Sequence, residues 1–201
     1  EAFFQATAWT MDTPKPYGAF HLVLTVLGVS LSIFLARKFS FPERKAGPDT
    51  ILFLCGLFLG LTELYKQGFI YYIENGRTYD WWYFPFQLCS VPMYLGLFIP
   101  MVPARIRNVF YLFIQDFGLL GGIMALAEPS GLMHPYWTMT VHGFLWHFNL
   151  IFMGLICAFY NLKTETPKSY LHTIPLFLFC TAIATAVNVL SHPYGNADMF
   201  Y

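Results

Sequence analysis

One point of this chain sets a thiol among polar neighbours: Gln87-Leu88-Cys89-Ser90-Val91-Pro92. A cysteine is a weak nucleophile until it becomes a thiolate, and a histidine within hydrogen-bond reach can take its proton. Two candidates, His142 and His147, lie in a later apolar run. A Cys/His pair suits acyl transfer: ester to thioester, then thioester to an acceptor. Gln87, Ser90 or a backbone N–H beside Pro92 could stabilise the oxyanion. Pro92 has no N–H, so a helix running through it kinks and leaves the Leu88 carbonyl a free acceptor beside Cys89. The competing reading is plain packing, since a cysteine in an apolar run usually behaves as a small hydrophobe.

The elements that must position these groups are membrane helices. Of the 201 residues 57% are hydrophobic, 20% aromatic and only 11% charged. Soluble domains carry about 25% charged residues, so this chain cannot cover a water-soluble surface. Mean hydropathy is +0.52. The net charge of zero gives no bulk attraction to nucleic acid, and no nucleic-acid partner is expected.

About 20 apolar residues span a bilayer. Six runs qualify: 17–36, 50–72, 83–102, 106–127, 136–160 and 170–190. The fold expected is an all-α polytopic bundle of six transmembrane helices, forming a single domain over 1–201. Trp81, Trp82, Tyr83 and Phe84 lead into the third run like an interfacial aromatic belt. Basic residues set the orientation. Arg37, Lys38, Arg44, Lys45, Arg105, Arg107, Lys163 and Lys168 fall on one side, against Lys15 and Arg77 on the other. That predicts an outside N-terminus and cytoplasmic loops one, three and five, in the plasma membrane if the source is bacterial. No cleavable signal peptide is expected, because no basic segment precedes a short apolar core.

Ionisable groups within the spans are costly and face cavities or one another. They are Glu63 and Lys66, three apart and able to pair, then Asp116, His142 and His147. Asp116 precedes Gly118, Gly121 and Gly122, whose small size admits a close neighbour helix; Gly56 and Gly60 form a second such face. Lys66 could instead hold an anionic headgroup. Cys55, Cys89, Cys157 and Cys180 occupy separate runs without a CxxC pair, so neither disulfides nor a zinc site is expected. No metal or cofactor is called for.

Depth narrows the choice of thiol. At 1.5 Å per residue, Cys89 lies about 9 Å below the outer end of its span, His142 about 9 Å and His147 about 16 Å. Cys55 and Cys157 lie near the inner ends, and Cys180 has no polar neighbour. Depth slightly prefers His142 as the partner of Cys89. The two histidines are five apart, about 140° around a helix, so both should not point at one atom. Asn149 shares the helix of His147.

Several segments together resemble the transmembrane protein 164 family and its bacterial relatives of the YwaF type, over nearly the whole chain. They are Gly18-Ala19-Phe20-His21, Leu88-Cys89-Ser90, Phe144-Leu145-Trp146-His147 and the ending Asn188…Asn196…Met199-Phe200. The resemblance implies a phospholipid acyltransferase that uses one cysteine and one histidine. It carries the nucleophile to Cys89 and the histidine to His147, leaving His142 supporting or structural. It also implies a seventh helix, and the chain stops where that helix would begin. The function expected is a membrane acyltransferase or transacylase whose partners are membrane lipids. The alternative is a transporter or binding protein whose polar cavity is lined by Glu63, Lys66, Asp116 and the histidines.

Overall fold

The computed structural model describes residues 1–40, 48–161, 166 and 168–200. Arg44, Lys45, Lys163, Pro167 and Tyr201 lie outside them. The described chain is helical and contains no strand; one isolated bridge joins Thr10 to Tyr136. Eight α-helices follow in order. They are α1 (Ala2–Ala6), α2 (Ala19–Phe39), α3 (Asp49–Phe69), α4 (Val91–Phe98), α5 (Ala104–Phe113), α6 (Leu119–Ala127), α7 (Trp137–Asn161) and α8 (Ile174–Ser191). A π-helical turn, Ile114–Gly118, joins α5 to α6 in one rod, and another, Ile70–Glu74, extends α3.

Four helices are long and apolar enough to cross a membrane: Ala19–Phe39, Ala104–Ala127, Trp137–Asn161 and Ser169–Ser191. They match four of the expected runs to within a few residues. The second run is the 21-residue α3, which carries Glu63 and Lys66. The third departs from expectation, because its apolar helix is only Leu88–Met101. Residues 84–87 are not helical, and Trp81–Tyr83 make a single 3₁₀ turn. The prolines explain this. Pro85 discourages helix in the residue before it, and Pro92 stands in the first turn of α4, where its missing N–H costs nothing. Pro92 therefore starts a helix and does not kink one.

The expected free carbonyl is accordingly corrected. Leu88, Cys89 and Ser90 form a 3₁₀ turn, and the Val91 N–H donates to the Leu88 carbonyl. The tighter i→i+3 pattern supplies the partner that an α-helix through Pro92 would have lost. Cys89 lies at the mouth of the short helix, so helical rise from Tyr83 does not measure its depth.

Helix α7 is the axis of the bundle. Its buried residues Phe144, His147, Leu150, Ile151, Met153, Gly154 and Cys157 follow the three-and-four spacing of a helical face. α2 and α6 pack on it, while α3 packs chiefly on α4. Small residues make these approaches possible. A Cβ on Gly56 would fall 2.8 Å from the Leu97 nitrogen, and one on Gly96 2.7 Å from the Leu52 carbonyl oxygen. A Cβ on Gly122 would lie 2.7 Å from Ile151 and 3.0 Å from the His147 carbonyl oxygen. On Gly154 it would lie 2.8 Å from Leu119. In hydrocarbon there is little hydrophobic drive between helices, so such backbone contact is what holds them.

Polar ties fix the two ends. At one end Asp49 accepts from the Arg107 guanidinium and the Tyr111 hydroxyl, joining α3 to α5. At the other, His21 Nδ1 accepts from the Tyr17 N–H, which leaves Nε2–H to donate to the Leu126 carbonyl at 3.0 Å. The N-terminal segment crosses this second end, with the Met11 N–H on the Pro135 carbonyl at 2.9 Å and the Trp137 N–H on Trp9 at 2.9 Å. After α8 the chain folds back there too. The Asn188 carboxamide accepts from the Met199 N–H at 2.7 Å and donates to the Met199 carbonyl at 3.1 Å.

The glycine contacts make a direct prediction. Gly122→Val must push apart α6 and α7, costing about 1–3 kcal/mol and lowering Tm by roughly 2–10 °C. Gly131→Ala, where an added Cβ meets nothing within 4 Å, should leave Tm unchanged. Thermal unfolding of the two variants in detergent, side by side, checks both.

Candidate functional site

A cavity of about 500 Å³ opens at the end of the bundle where the N- and C-terminal segments cross. Its walls come from six places, among them the loop before α7 and Phe200 near the end of the chain. The 81–90 segment contributes Gln87, Cys89 and Ser90; α7 contributes His142, Trp146 and His147; α3 contributes Lys66; α6 contributes Gly121. Six of the nine candidate residues therefore line one space: Cys89, His147, His142, Gln87, Ser90 and Lys66. Asp116, Glu63 and Asn149 do not. Asp116 sits in the π-turn between α5 and α6, and the Gln115 amide beside it also meets Asn161. The Asn149 amide donates to the Cys55 carbonyl at 3.3 Å and ties α7 to α3. Glu63 is buried behind Lys66.

The thiol turn is held from two sides. The Trp146 indole N–H donates to the Cys89 carbonyl at 3.2 Å. On the α6 side, a Cβ on Gly121 would stand 3.7 Å from Cys89 Cβ, and one on Gly118 3.3 Å from Pro92. Gly118, in the π-turn before α6, thus lets Pro92 approach closely, while at Gly121 a Cβ would meet Cys89 only in ordinary van der Waals contact. Cys89 is half-buried, Cys157 and Cys180 are buried, and none of the four cysteines forms a disulfide. Cys55, Cys157 and Cys180 do not line the cavity.

The His147 ring has a defined tautomer. Its Nδ1 lies 2.7 Å from the Gly143 carbonyl oxygen, one turn earlier. A carbonyl only accepts, so in the neutral ring Nδ1 carries the hydrogen and Nε2 keeps its lone pair. That is the form a general base needs. His142 differs: its Nε2 is buried and has no hydrogen-bond partner in the protein. Its ring lies 5.5 Å from that of Trp146. The 140° between the two histidines does not separate them into different spaces, because the cavity wraps across this face of α7.

The oxyanion donors expected from the backbone are occupied. The Ser90 N–H donates to the Gln87 carbonyl at 2.7 Å and the Val91 N–H to Leu88. The Gln87 side chain is engaged by the C-terminal segment: its Oε1 accepts from the Phe200 N–H at 3.3 Å, and its Nε2 donates to the Asp198 carbonyl at 3.4 Å. Phe200 itself lines the cavity and stacks on Phe86.

Lys66 and Glu63 form the expected pair, Nζ to Oε1 at 2.9 Å. The Gln67 amide donates to the same oxygen at 2.7 Å and to the Tyr83 carbonyl. Lys66 Nζ lies 5.9 Å from the centre of the Trp146 ring, a cation–π distance. Sequence reasoning passed over Trp146 and His134 as site residues. Trp146 stands beside His147 in the run that carries the resemblance, which was its available signal. His134, in the loop before α7, also lines the cavity, and burial holds its imidazole below the ordinary value of 6.5. Among the described residues no group of three or more His, Cys, Asp or Glu could hold a metal ion.

A model of the TMEM164 family matches residues 16–201, and the chain belongs to that family. No curated protein and no solved structure matches it.

Two outcomes follow from the geometry. Brief maleimide treatment of the folded protein should modify Cys89 and spare Cys157 and Cys180, as read by peptide mass spectrometry. Trp146→Phe, which removes one hydrogen bond worth about 1 kcal/mol, should speed Cys89 labelling several-fold. Acid stability tests His134. Its folded pKa lies below its unfolded one, so the unfolded chain binds the proton more readily. Its contribution is complete above pH 6.5 and is lost as pH falls through the folded value. Tm should drop below pH 6.5 by less in His134→Asn than in the parent.

Proposed function

We propose that this member of the TMEM164 family is a membrane acyltransferase or transacylase that moves phospholipid acyl chains through a Cys89 thioester, with His147 as general base. The observation that carries this reading is the cavity shared by a half-buried thiol and an imidazole whose Nε2 lone pair is free of the helix backbone. In the first half-reaction His147 Nε2 takes the Cys89 proton, and the thiolate attacks the ester carbonyl carbon of a donor lipid. The C–O bond breaks, and the departing lysolipid oxygen takes the proton from the imidazolium. In the second, an acceptor hydroxyl gives its proton to Nε2 and attacks the thioester carbonyl. The C–S bond breaks, and the thiolate recovers the proton. We assign oxyanion stabilisation to the Ser90 hydroxyl, since Gln87 is engaged by the C-terminal segment. His142 supports the acceptor side, where its unpartnered Nε2 can meet a hydroxyl.

The membrane arrangement proposed is six spans with the N-terminus outside. α3 with its π-turn is the second span and Leu88–Met101 the short third. Of the basic residues described, Arg37, Lys38, Arg105, Arg107 and Lys168 belong to the end away from the cavity, which the charge rule makes cytoplasmic. The cavity then opens toward the outer leaflet, of the plasma membrane in a bacterium. A solute pathway would need its polar groups along one passage, yet Asp116 and Glu63 stand outside the cavity wall.

The test is acyl transfer between a labelled phospholipid and a lysophospholipid by purified protein in mixed micelles, followed by mass spectrometry. Cys89→Ala should abolish transfer and the acyl-enzyme adduct. His147→Ala should reduce transfer by about 10²–10⁴-fold, and His142→Ala by less. Unchanged turnover in both Cys89→Ala and His147→Ala would overturn the assignment.

A further inference from the structure

We infer that Lys66 is the phosphate-binding residue of this cavity, so that an entering lipid is held by its phosphate on the Lys66 ammonium while its ester carbonyl or free hydroxyl faces Cys89. The inference rests on the acyl-transfer reading and assigns its specificity to one residue. Lys66 is the one Lys or Arg among the described residues lining the cavity, and none of those residues is Asp or Glu. An anionic group entering this space therefore meets a cation and no carboxylate in the wall.

The surroundings of Lys66 hold its ammonium in place. Glu63 lies behind it, with a side chain 6% exposed against 18% for Lys66. The carboxylate offsets the cost of an ammonium in an apolar wall, and its Oε1 takes only one of the three ammonium N–H donors. Gln67 shares the load on that oxygen. The Lys66 ammonium stands over Trp146, whose ring centre is 5.9 Å from Nζ and whose indole N–H holds the Cys89 carbonyl at 3.2 Å. A single rigid indole thus sets the separation between the ammonium and the thiol turn. A glycerophospholipid offers a phosphate and an ester or free hydroxyl a few bonds apart on one glycerol. A neutral glyceride has only the second of these features.

Binding to the full chain carrying Cys89→Ala, which cannot turn over, tests this without relying on activity. The probes are lysophosphatidylglycerol, the monoacylglycerol of the same chain length, and soluble glycerol 3-phosphate, followed by native mass spectrometry or competition in micelles. The Cys89→Ala protein should prefer the lysophospholipid to the monoacylglycerol by about 10-fold or more, as one hydrogen bond to a charged group provides. Adding Lys66→Arg should retain most of that preference, and adding Lys66→Met should erase it. Glu63→Gln with Lys66→Met removes both charges together and guards against misfolding from an orphaned carboxylate. With an unchanged Tm it too should show no preference. Failure of glycerol 3-phosphate to displace the lysolipid supports a lipid source of the phosphate, and displacement overturns that source in favour of a soluble phosphate ester. Equal binding of the two lipids by the Lys66-containing protein, or a preference surviving Lys66→Met, overturns the inference. Lys66-dependent binding without any transfer by the parent protein would sink the acyl-transfer reading and leave the phosphate site standing.

Discussion

The site depends on how closely α6 can approach both α7 and the Leu88–Ser90 turn. Absent side chains set the first of these distances and, at Gly118, contribute to the second. Gly122 and Gly154 put the backbones of α6 and α7 in contact, with Ile151, the His147 carbonyl and Leu119 as the opposing atoms. On the next faces of the same helical rod, Gly118 and Gly121 receive Pro92 and Cys89. One short stretch therefore packs a histidine-bearing helix on one side and a cysteine-bearing turn on the other. Apolar side chains in a bilayer gain little from leaving lipid for protein, so contact of this kind must come from shape. A side chain at Gly122 would move α7 and the histidines with it.

Given that seam, Trp146 acts as the spacer. Its indole N–H reaches the Cys89 carbonyl, and its ring face meets the Lys66 ammonium. The residue after it is His147, and the His142 ring lies tilted against its ring. A single buried side chain thus relates the thiol turn, the cation and the helix carrying both imidazoles. Its rigidity matters, because two torsions fix an indole where a lysine or glutamine would wander. The His147 ring is held separately, by the Gly143 carbonyl of its own helix. Its tautomer is therefore independent of whatever occupies the cavity.

Much of the fold was legible because a bilayer imposes a length and an apolar composition. The four helices long and apolar enough to cross a membrane follow the runs read from residue type alone. The third failed because its aromatic composition marks an interface and says nothing of helix. Pro85 and Pro92 then decide where α4 starts, and that rule was applied to Pro92 as a kink rather than as a first-turn residue. At the site, residue type singled out Cys89, both histidines, Lys66, Gln87 and Ser90. The same criterion also collected Glu63, Asp116 and Asn149, because every buried polar group in a membrane attracts notice. Such groups can also serve packing alone, as the Asn149 amide does by tying α7 to the Cys55 carbonyl of α3. The role of Trp146 was not legible, since its acceptor lies 57 residues away in sequence. That partnership exists only once α7 and the thiol turn are packed.

The departure in the third segment also bears on what chemistry the bundle can host. Had residues 83–102 formed one helix, Cys89 would hang about 9 Å inside the hydrocarbon, among acyl tails and away from any ester. The irregular 84–87 stretch and the 3₁₀ turn keep it at the end of the bundle instead, beside Tyr83, Phe84 and Phe200 at the cavity wall. Aromatic side chains of this kind settle at the depth of lipid headgroups and glycerol, where the carbonyl carbons of a phospholipid lie. For the proposed acyl transfer, a short helix is thus the better scaffold, since it sets the thiol at ester depth. The polar groups that share its cavity, Lys66 on Glu63 and His147 on Gly143, are each paired or hydrogen-bonded from the protein side.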